Sequence, residues 1–364
     1  MSELSPSLKQ LRAQLLDWYD EHRRTMPWRE HPSPWGIWVS EIMLQQTRVD
    51  SVIDYYHRFM DRYPTPRALA ESSLDELLGF WAGLGYYARA RNLHRAAQVV
   101  VAEHGGKVPA DPGEFRQLVG VGAYTCGAVQ SIAFGHPMPV VDGNVIRVIA
   151  RLDDCHDDPK KSAVQKKFWA RATELLDHDR PGDFNQAMME LGATVCTPKR
   201  PSCLLCPVKS HCRGLRSSDV ETLPRKAPRK KPPTLDRVAG LCTDDQGRIW
   251  IGRRPENGLL GGLWGLPSMP GQAPEKLREL QLQPGQHRST ITHAFTHQIW
   301  RVSTYSAVGR PVGGPFTAYR AVEPASLGTM GLTGPSLKAL RASGIDLPHR
   351  RGAGRVSPTD ALKG

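Results

Sequence analysis

Four cysteines fall between positions 196 and 212, spaced Cys196-x6-Cys203-x2-Cys206-x5-Cys212. Thiolates bind soft metals, and a loop this short can wrap four of them around one centre. Structural zinc usually joins two short C-x2–4-C knuckles, whereas this segment holds one. The uneven spacing therefore favours a cubane iron–sulfur cluster over zinc or unrelated free thiols. The chain has 7 cysteines in all, and the odd count argues against a disulfide scaffold. Cys126, Cys155 and Cys242 stand alone and read as ordinary core or surface residues. Pro198, Lys199, Arg200, Lys209, His211 and Arg213 crowd the loop. A rigid loop that offers cations to a phosphate backbone is a structural use for such a metal.

The residues before the loop read as helix. Leu8, Leu11, Leu15 and Trp18 recur at helical spacing. Ser72 and Ser73 stand before Leu74–Leu78, and Ser162 before Ala163–Leu176, as capped helix starts. Glycine and proline punctuate short connections, and strand-like alternation is scarce. Beyond the loop the chain changes character. Arg225-Lys226-Ala227-Pro228-Arg229-Lys230-Lys231-Pro232-Pro233 is basic and proline-rich, which suits an extended linker with a cationic stripe. Past that stretch, Arg237–Cys242 and Arg248–Ile251 flank the turn Asp244-Asp245-Gln246-Gly247 and read as a hairpin. Thr290–Val302 and Pro315–Val322 are further strands, and Pro274–Leu280 and Ser336–Ala342 read as helices.

The 364 residues thus divide into a mainly α domain at 1–213, with the cysteine loop at 196–212, a linker at 214–236, and an α+β domain at 237–347. The Gly-, Arg-, Ser- and Pro-containing tail at 348–364 is expected to be disordered. A hydrophobic fraction of 40% excludes wholesale disorder. No stretch nears the ~18 consecutive apolar residues of a membrane span. Met1–Ser5 has no apolar core of a signal peptide. The expectation is a soluble, cytoplasmic protein without membrane association.

The formal charge of +12 points to a polyanionic partner, nucleic acid first. Its distribution is uneven. Residues 1–212 hold 25 basic and 25 acidic side chains, and residues 213–364 hold 23 and 11. The excess marks the junction and the second half.

Three features of the helical half carry chemistry. Leu118-Val119-Gly120-Val121-Gly122-Ala123-Tyr124 is an apolar glycine turn leading into a small-residue helix. Glycines there let backbone approach a phosphate, and the following helix offers unpaired N–H groups. Twenty residues after Gly122 comes Asp142, in Val140-Val141-Asp142-Gly143-Asn144-Val145. An acid at that place caps a helix or does chemistry. Glu41 lies between Val39 and Ile42-Met43-Leu44, where burial would raise its pKa.

In combination these features resemble the helix-hairpin-helix, Gly/Pro…Asp superfamily of DNA base-excision glycosylases, in its iron–sulfur branch. Within that branch the chain is similar to the adenine DNA glycosylases (MutY). The likeness runs from Pro27-Trp28-Arg29 through Trp38–Thr47, Gly83–Leu93, the hairpin, Val141–Val145 and the cysteines. It continues into Gly262–Pro267 and Phe295-Thr296-His297. The Leu44-Gln45-Gln46-Thr47 run and the second domain separate it from the endonuclease III relatives.

The resemblance implies excision of adenine mispaired with 8-oxoguanine or guanine in double-stranded DNA. It implies one 4Fe-4S cluster on Cys196, Cys203, Cys206 and Cys212, and a Nudix-like second domain. Glu41 would protonate the departing purine. Asp142, as carboxylate, would stabilise or trap the oxocarbenium-like sugar. Bifunctional relatives carry a lysine where this chain has Tyr124, so the implied enzyme is monofunctional and leaves an abasic site. Asn144 would hydrogen-bond near Asp142, and Trp28, Arg29 and Gln186 would wall the adenine pocket. Gln46 and Tyr86 would wedge into the base stack, and Gly120 and Gly122 would bind phosphate. Phe295, Thr296 and His297 would form the tip that reads 8-oxoguanine. The family's middle residue at the tip is serine, and Gly265 replaces an acid common in relatives. Residues 274–282 offer only Glu275 and Glu279, not the Glu-rich box of pyrophosphatases. The implied state is a monomer, associated with the nucleoid in a prokaryote, with repair or replication proteins as the class of protein partner. The competing readings are an endonuclease III-like glycosylase-lyase and a non-catalytic DNA-binding or electron-transfer protein.

Overall fold

The computed structural model describes residues 6–217, 220–225 and 231–347. The described parts of 1–71 and 92–229 form one compact unit, and those of 72–91 and 230–364 form another. Most of the basic proline-rich stretch, the tail from position 348 and Met1–Ser5 lie outside the described residues.

The helices begin with α1 (Pro6–His22), α2 (Pro27–Glu30), α3 (Pro34–Leu44), α4 (Val49–Arg62) and α5 (Pro66–Ala70). They continue through α6 (Leu74–Trp81), α7 (Ala88–Glu103), α8 (Pro112–Gln117) and α9 (Ala123–Phe134). Then come α10 (Gly143–Leu152), α11 (Ser162–Leu175), α12 (Pro181–Thr194) and α13 (Arg213–Arg216). Several starts are written locally. Ser33, Thr65 and Asp111 each accept a hydrogen bond from the backbone N–H three residues on, and each is followed by a proline in the first turn. A side-chain cap satisfies one orphan N–H, and proline there gives up none that a helix needs. Ser73 caps α6 as expected. Ser162 does not cap α11. It is that helix's first residue, and Lys161 holds the cap position without a side-chain bond.

The core of the helical unit gathers around α10. Val145, Val148 and Ile149 pack with Phe184 and Leu191 of α12 and Leu15 of α1. A helix surrounded by apolar neighbours has little freedom to shift, so whatever caps it is held in place.

The second unit carries β1 (Thr234–Leu241), β2 (Ile249–Arg253), β3 (Trp264–Gly265) and β4 (Ser268–Pro270). It continues with β5 (Gln283–Ala294), β6 (Ile299–Val308), β7 (Ala318–Val322) and α14 (Gly334–Ala342). One sheet runs β4-β1-β6-β5 and the other β3-β2-β7. β1 and β6 are parallel, from Thr234 beside Ile299 to Leu241 beside Ser306.

The hairpin expected over 237–251 does not form. Asp244 closes the turn by accepting from the N–H of Arg248 at 2.9 Å, but pairing stops at the bridge between Thr243 and Ile249. β1 and β2 then enter different sheets. Ala239 shares one core with Ile249 and Ile251, while its neighbour Val238 joins a second core with Leu277, Leu280 and Leu282. β1 is thus covered on both faces, and it and β2 bury side chains in a common core instead of pairing edge to edge. The single strand expected over 290–302 is two, β5 and β6, joined by a turn at 295–298. Pro274–Leu280 is 3-10 rather than α-helix.

Residues 72–91 group with the C-terminal part of the chain. Arg253 pairs with Asp75 at 3.0 Å, and Arg91 Nη1 donates to the carbonyl of Gly261 at 2.6 Å.

Candidate active site and cysteine loop

Glu41 lies on α3, a helix buried along most of its length, and is itself 5% exposed. Tyr124 stands in the first turn of α9, and its hydroxyl donates to Glu41 Oε2 at 2.7 Å. Burial raises the Glu41 pKa to about 7. The bond from Tyr124 and the charge of Arg29 oppose that rise, and the charge of Asp142 adds to it. Burial also holds the Tyr124 phenol well above its ordinary pKa, so it remains a donor.

Asp142 is the N-cap of α10. Its Oδ1 accepts from the N–H of Asn144 at 2.9 Å and of Val145 at 2.7 Å, and Oδ2 accepts from Asn144 Nδ2 at 2.9 Å. Burial raises its pKa too, but these three bonds and Arg147 work against it. Glu41 has one donor and Asp142 three, so Asp142 is the better stabilised anion of the two. Arg147 extends the network. Its Nη2 donates to Asn144 Oδ1 at 2.8 Å and its Nε to the carbonyl of Cys196 at 2.7 Å.

Glu41, Tyr124, Asp142 and Asn144 open into one cleft of about 590 Å³, which Trp28, Arg29, Gln46 and Gln186 also line. Eight residues singled out in the sequence therefore meet. Arg29 Nε donates to Gln186 Oε1 at 3.0 Å and its Nη2 to Glu190 Oε2 at 3.0 Å. Trp28 is buried and meets Tyr56 edge-on at 5.2 Å. Gln46 takes a left-handed backbone, φ 60°.

Sequence reasoning missed Glu190 and Arg24. Glu190 is 2% exposed and lines the same cleft. Burial presses its pKa up, yet Arg24 and Arg29 outweigh that and hold it below the ordinary value. An acid placed among Met188, Met189, Leu191 and Gly192 was the available signal. The cleft thus holds one acid that keeps its proton near neutrality and one that is firmly ionised.

Gly120 and Gly122 do not line the cleft. They form the turn between α8 and α9. Gly120 has φ 84°, and a Cβ there would stand 2.7 Å from Asn92 Cβ, so glycine is required on both counts.

The other unit holds the remaining expected residues. Phe295, Thr296 and His297 make the β5–β6 turn, where Phe295 packs edge-on against Trp300 at 5.0 Å. Thr296 Oγ1 lies 3.1 Å from the Tyr86 hydroxyl. Tyr86 is 49% exposed with φ 48°. Arg89 braces it, stacking on its ring at 5.6 Å and donating to the carbonyls of Leu84 and Gly85, each at 3.1 Å. Gly265 faces α14, where a Cβ would come 2.7 Å from Ser336 Oγ.

In the cysteine loop, Cys203–Leu205 and Lys209–His211 are 3-10 turns that bring the chain back on itself. Cys206 has its pKa raised to about 12, by burial first and then by the neighbouring Cys196, Cys212 and Cys203. The four sulfurs thus lie within one another's electrostatic reach. Among the described residues no three His, Cys, Asp or Glu side chains close on a point as a single ion would need. Four thiol donors from one short loop are the donor chemistry that an iron–sulfur cluster takes. Arg151, 1% exposed, ties the loop to α10 through the carbonyl of Thr197 at 2.8 Å and Cys196 Sγ at 3.2 Å.

A glycine hairpin between two helices, a capping aspartate on the next helix and an acid-lined cleft define a helix-hairpin-helix base-excision DNA glycosylase, here joined to a Nudix-type domain. Residues 39–174 match the family described as HhH-GPD superfamily base excision DNA repair protein, and residues 238–342 match the NUDIX domain. The adenine DNA glycosylase of Homo sapiens is 40% identical over 353 residues, covering 79% of this chain and 64% of its own length. That of Rattus norvegicus is 41% identical over 360 residues, covering 81% and 70%. The chain thus spans about two thirds of the length of these relatives. A solved thermostable thymine-DNA glycosylase aligns with a TM-score of 0.52 and 29% identity, over 58% of this chain and 97% of that one. The chain belongs to the adenine DNA glycosylase family. Among the described residues no helix is long and apolar enough to cross a membrane.

Proposed function

We propose that this protein is a monofunctional glycosylase that removes adenine mispaired with 8-oxoguanine or guanine from double-stranded DNA and leaves an abasic site. One observation carries the reading: a buried Glu41, with its pKa near 7, shares a cleft with the hydrogen-bonded carboxylate of Asp142.

The glycosidic bond is out of reach in the stack, so the adenine must swing into the cleft. Adenine leaves readily only when protonated. Glu41 holds the proton, and Tyr124 fixes the carboxyl that gives it up. As the base departs, positive charge develops on the sugar. Asp142 faces it as an anion, stabilising the cation or bonding to it until water completes the hydrolysis. Asn144 is a positioning residue that fixes Asp142. Arg29, locked by Glu190, in turn holds Gln186, and the two present fixed polar groups to the purine edge. Tyr124 has no amine, so no Schiff base forms and the strand stays intact.

Gln46 and Tyr86, held in uncommon backbone conformations, suit insertion into the gap that the flipped base leaves. Phe295, Thr296 and His297 form a turn suited to contact the estranged base, with Thr296 and His297 exposed and Phe295 anchored on Trp300. Gly120 and Gly122 give phosphate its close approach. Cys196, Cys203, Cys206 and Cys212 would hold a 4Fe-4S cluster, which when bound supplies a rigid, cationic loop against the DNA backbone. A DNA substrate implies an intracellular site of action, at the nucleoid in a prokaryote.

The test is single-turnover strand scission on a duplex with adenine opposite 8-oxoguanine, before and after alkali, with a thymine-glycol duplex as control. The expected result is a break in the adenine strand that appears after alkali only. Cleavage of the thymine-glycol strand without alkali overturns the reading in favour of a lyase.

A further inference from the structure

We propose that Met189 is a modification site within the cleft: hydrogen peroxide converts its thioether to the sulfoxide, and the new oxygen draws the Tyr124 hydroxyl away from Glu41. Its effect on excision rests on the glycosylase reading above, whereas the modification itself does not. Met189 lies on α12, is half-buried, and lines the same cleft as Glu41 and Tyr124. Its Sδ stands 3.4 Å from the Tyr124 hydroxyl, which also donates to Glu41 Oε2 at 2.7 Å. A phenol has one proton to give, and a thioether is a weak acceptor. In the reduced protein the carboxyl therefore holds the bond, and Met189 is a positioning residue that rests against the hydroxyl.

An oxygen on that sulfur changes the contest. A sulfur lone pair attacks one oxygen of the peroxide and the O–O bond breaks. The other oxygen leaves as hydroxide and takes the proton of the sulfur-bound hydroxyl to become water. Sulfur is oxidised, peroxide is reduced, and nothing else is consumed. The sulfoxide is polar, and its oxygen accepts far better than the thioether did. The unbranched methionine side chain has the rotatable bonds to turn that oxygen onto Tyr124. Glu41 then loses the one hydrogen bond that works to lower its pKa. The carboxyl holds its proton more tightly and is no longer fixed in the cleft.

The cleft decides which methionine reacts. Met26 and Met189 both line it, but Met26 is only 4% exposed. Met188, the next residue along α12, turns into the helical core and is 2% exposed, and Met43 of α3 is 1% exposed. Met189 thus combines a route for a molecule as small as peroxide with contact to the hydroxyl that fixes Glu41. The lesion proposed to sit opposite adenine is itself an oxidation product, so the enzyme works where such oxidants are present. A device of this kind is a local change in hydrogen bonding with a readout in the reaction.

The test treats the full-length protein with hydrogen peroxide and locates sulfoxides by tandem mass spectrometry. Single-turnover excision and the urea midpoint are then followed across pH. Met189 should oxidise well ahead of Met188. Excision at neutral pH should fall about tenfold. Its alkaline midpoint, set by a Glu41 pKa of about 7 before treatment, should move upward, and so should the pH at which the stability decline levels off. Methionine sulfoxide reductases acting on both epimers should reverse all of these changes. Met189→Leu, compared before and after treatment with itself, should keep its own starting rate and midpoint. Damage to cysteines or to a bound cluster would strike that variant equally and would resist the reductases. Oxidation of Met189 no faster than that of Met188 overturns the proposal, as does a loss shared by Met189→Leu or left by the reductases. Should Met189→Leu fail to fold, recovery with the reductases decides. The stability profile needs no excision: a level-off pH that rises on oxidation supports the switch and an unmoved one overturns it, so its failure is distinguishable from that of the glycosylase reading.

Discussion

Glu41 occupies a place that costs the fold stability. A carboxyl that ionises near 4.5 in the open chain and near 7 in the folded protein binds more protons folded than unfolded between those values. Stability is therefore fully present below about pH 4.5 and falls as pH rises to about 7, after which it is flat. The loss is roughly 3 kcal/mol as an upper bound. Glu41→Gln removes that titration while keeping the Tyr124 hydroxyl a partner. It should raise the urea midpoint at pH 8 and leave it nearly unchanged at pH 4.5, whereas an unaltered midpoint at pH 8 would place the wild-type carboxyl in water. The same variant should be almost inactive in single turnover yet still bind DNA. In the wild type, excision should fall about tenfold per pH unit above the Glu41 pKa, because the protonated form is the donor. Stability and activity then share one titrating group, so the stability decline should level off at the pH where excision is half lost.

At the scale of elements, α10 joins the cleft to the cysteine loop. Its cap is Asp142, and its buried Arg147 and Arg151 hold the carbonyls of Cys196 and Thr197. Arg147→Gln leaves the Asn144 and Cys196 oxygens without their donor, at a cost of about 1–3 kcal/mol. Released from Arg147, Asn144 should orient Asp142 less well. Excision should drop about tenfold with the pH midpoint unmoved, since Glu41 is untouched. A shifted midpoint would mean that Arg147 acts through charge. A second element is the turn that bears Tyr86, braced by Arg89 between the rings of Trp81 and Tyr86 at 5.4 and 5.6 Å. Arg89→Met keeps bulk but cannot donate to the two carbonyls, so affinity for mispaired duplex should weaken more than affinity for matched duplex. Equal weakening of both would reduce Arg89 to a structural role. These elements also explain what the sequence could and could not reveal. The glycine turn, the Asp142 cap and the Ser- or Asp-Pro starts are local, because their partners lie within a few residues. Glu190 stood out only as an acid in an apolar run, and its role was not legible because its partner Arg24 lies 166 positions away. The false hairpin at 237–251 had correct alternation and a correct turn. Alternation reports that a strand has a buried face, not which sheet it joins, and Val238 and Ala239 point into different cores.

For the whole molecule, charge and chemistry are divided along the chain. All the acids of the cleft come from the neutral first 212 residues, whereas the residues from 213 on carry the entire excess of +12. A neutral catalytic region gains little from long-range attraction to DNA, so the later residues should supply the counterion release that drives binding. Arg225, Lys226, Arg229, Lys230 and Lys231 concentrate part of that excess in one short stretch. Replacing all five by glutamine should flatten the dependence of log affinity on log salt, by up to about 0.9 for each phosphate left without its cation. Backbone contacts carry no sequence information, so matched and mispaired duplexes should weaken alike. The single-turnover rate at saturating enzyme should stay as it was, because the described lining of the cleft lies between Tyr19 and Ala193. The decisive comparison is the salt slope of the variant against that of the wild type on both duplexes. An unchanged slope would assign the electrostatic work to other cations, with Lys199, Arg200 and Lys209 of the cysteine loop next in line. A loss confined to the mispaired duplex would show instead that this stretch takes part in reading the lesion.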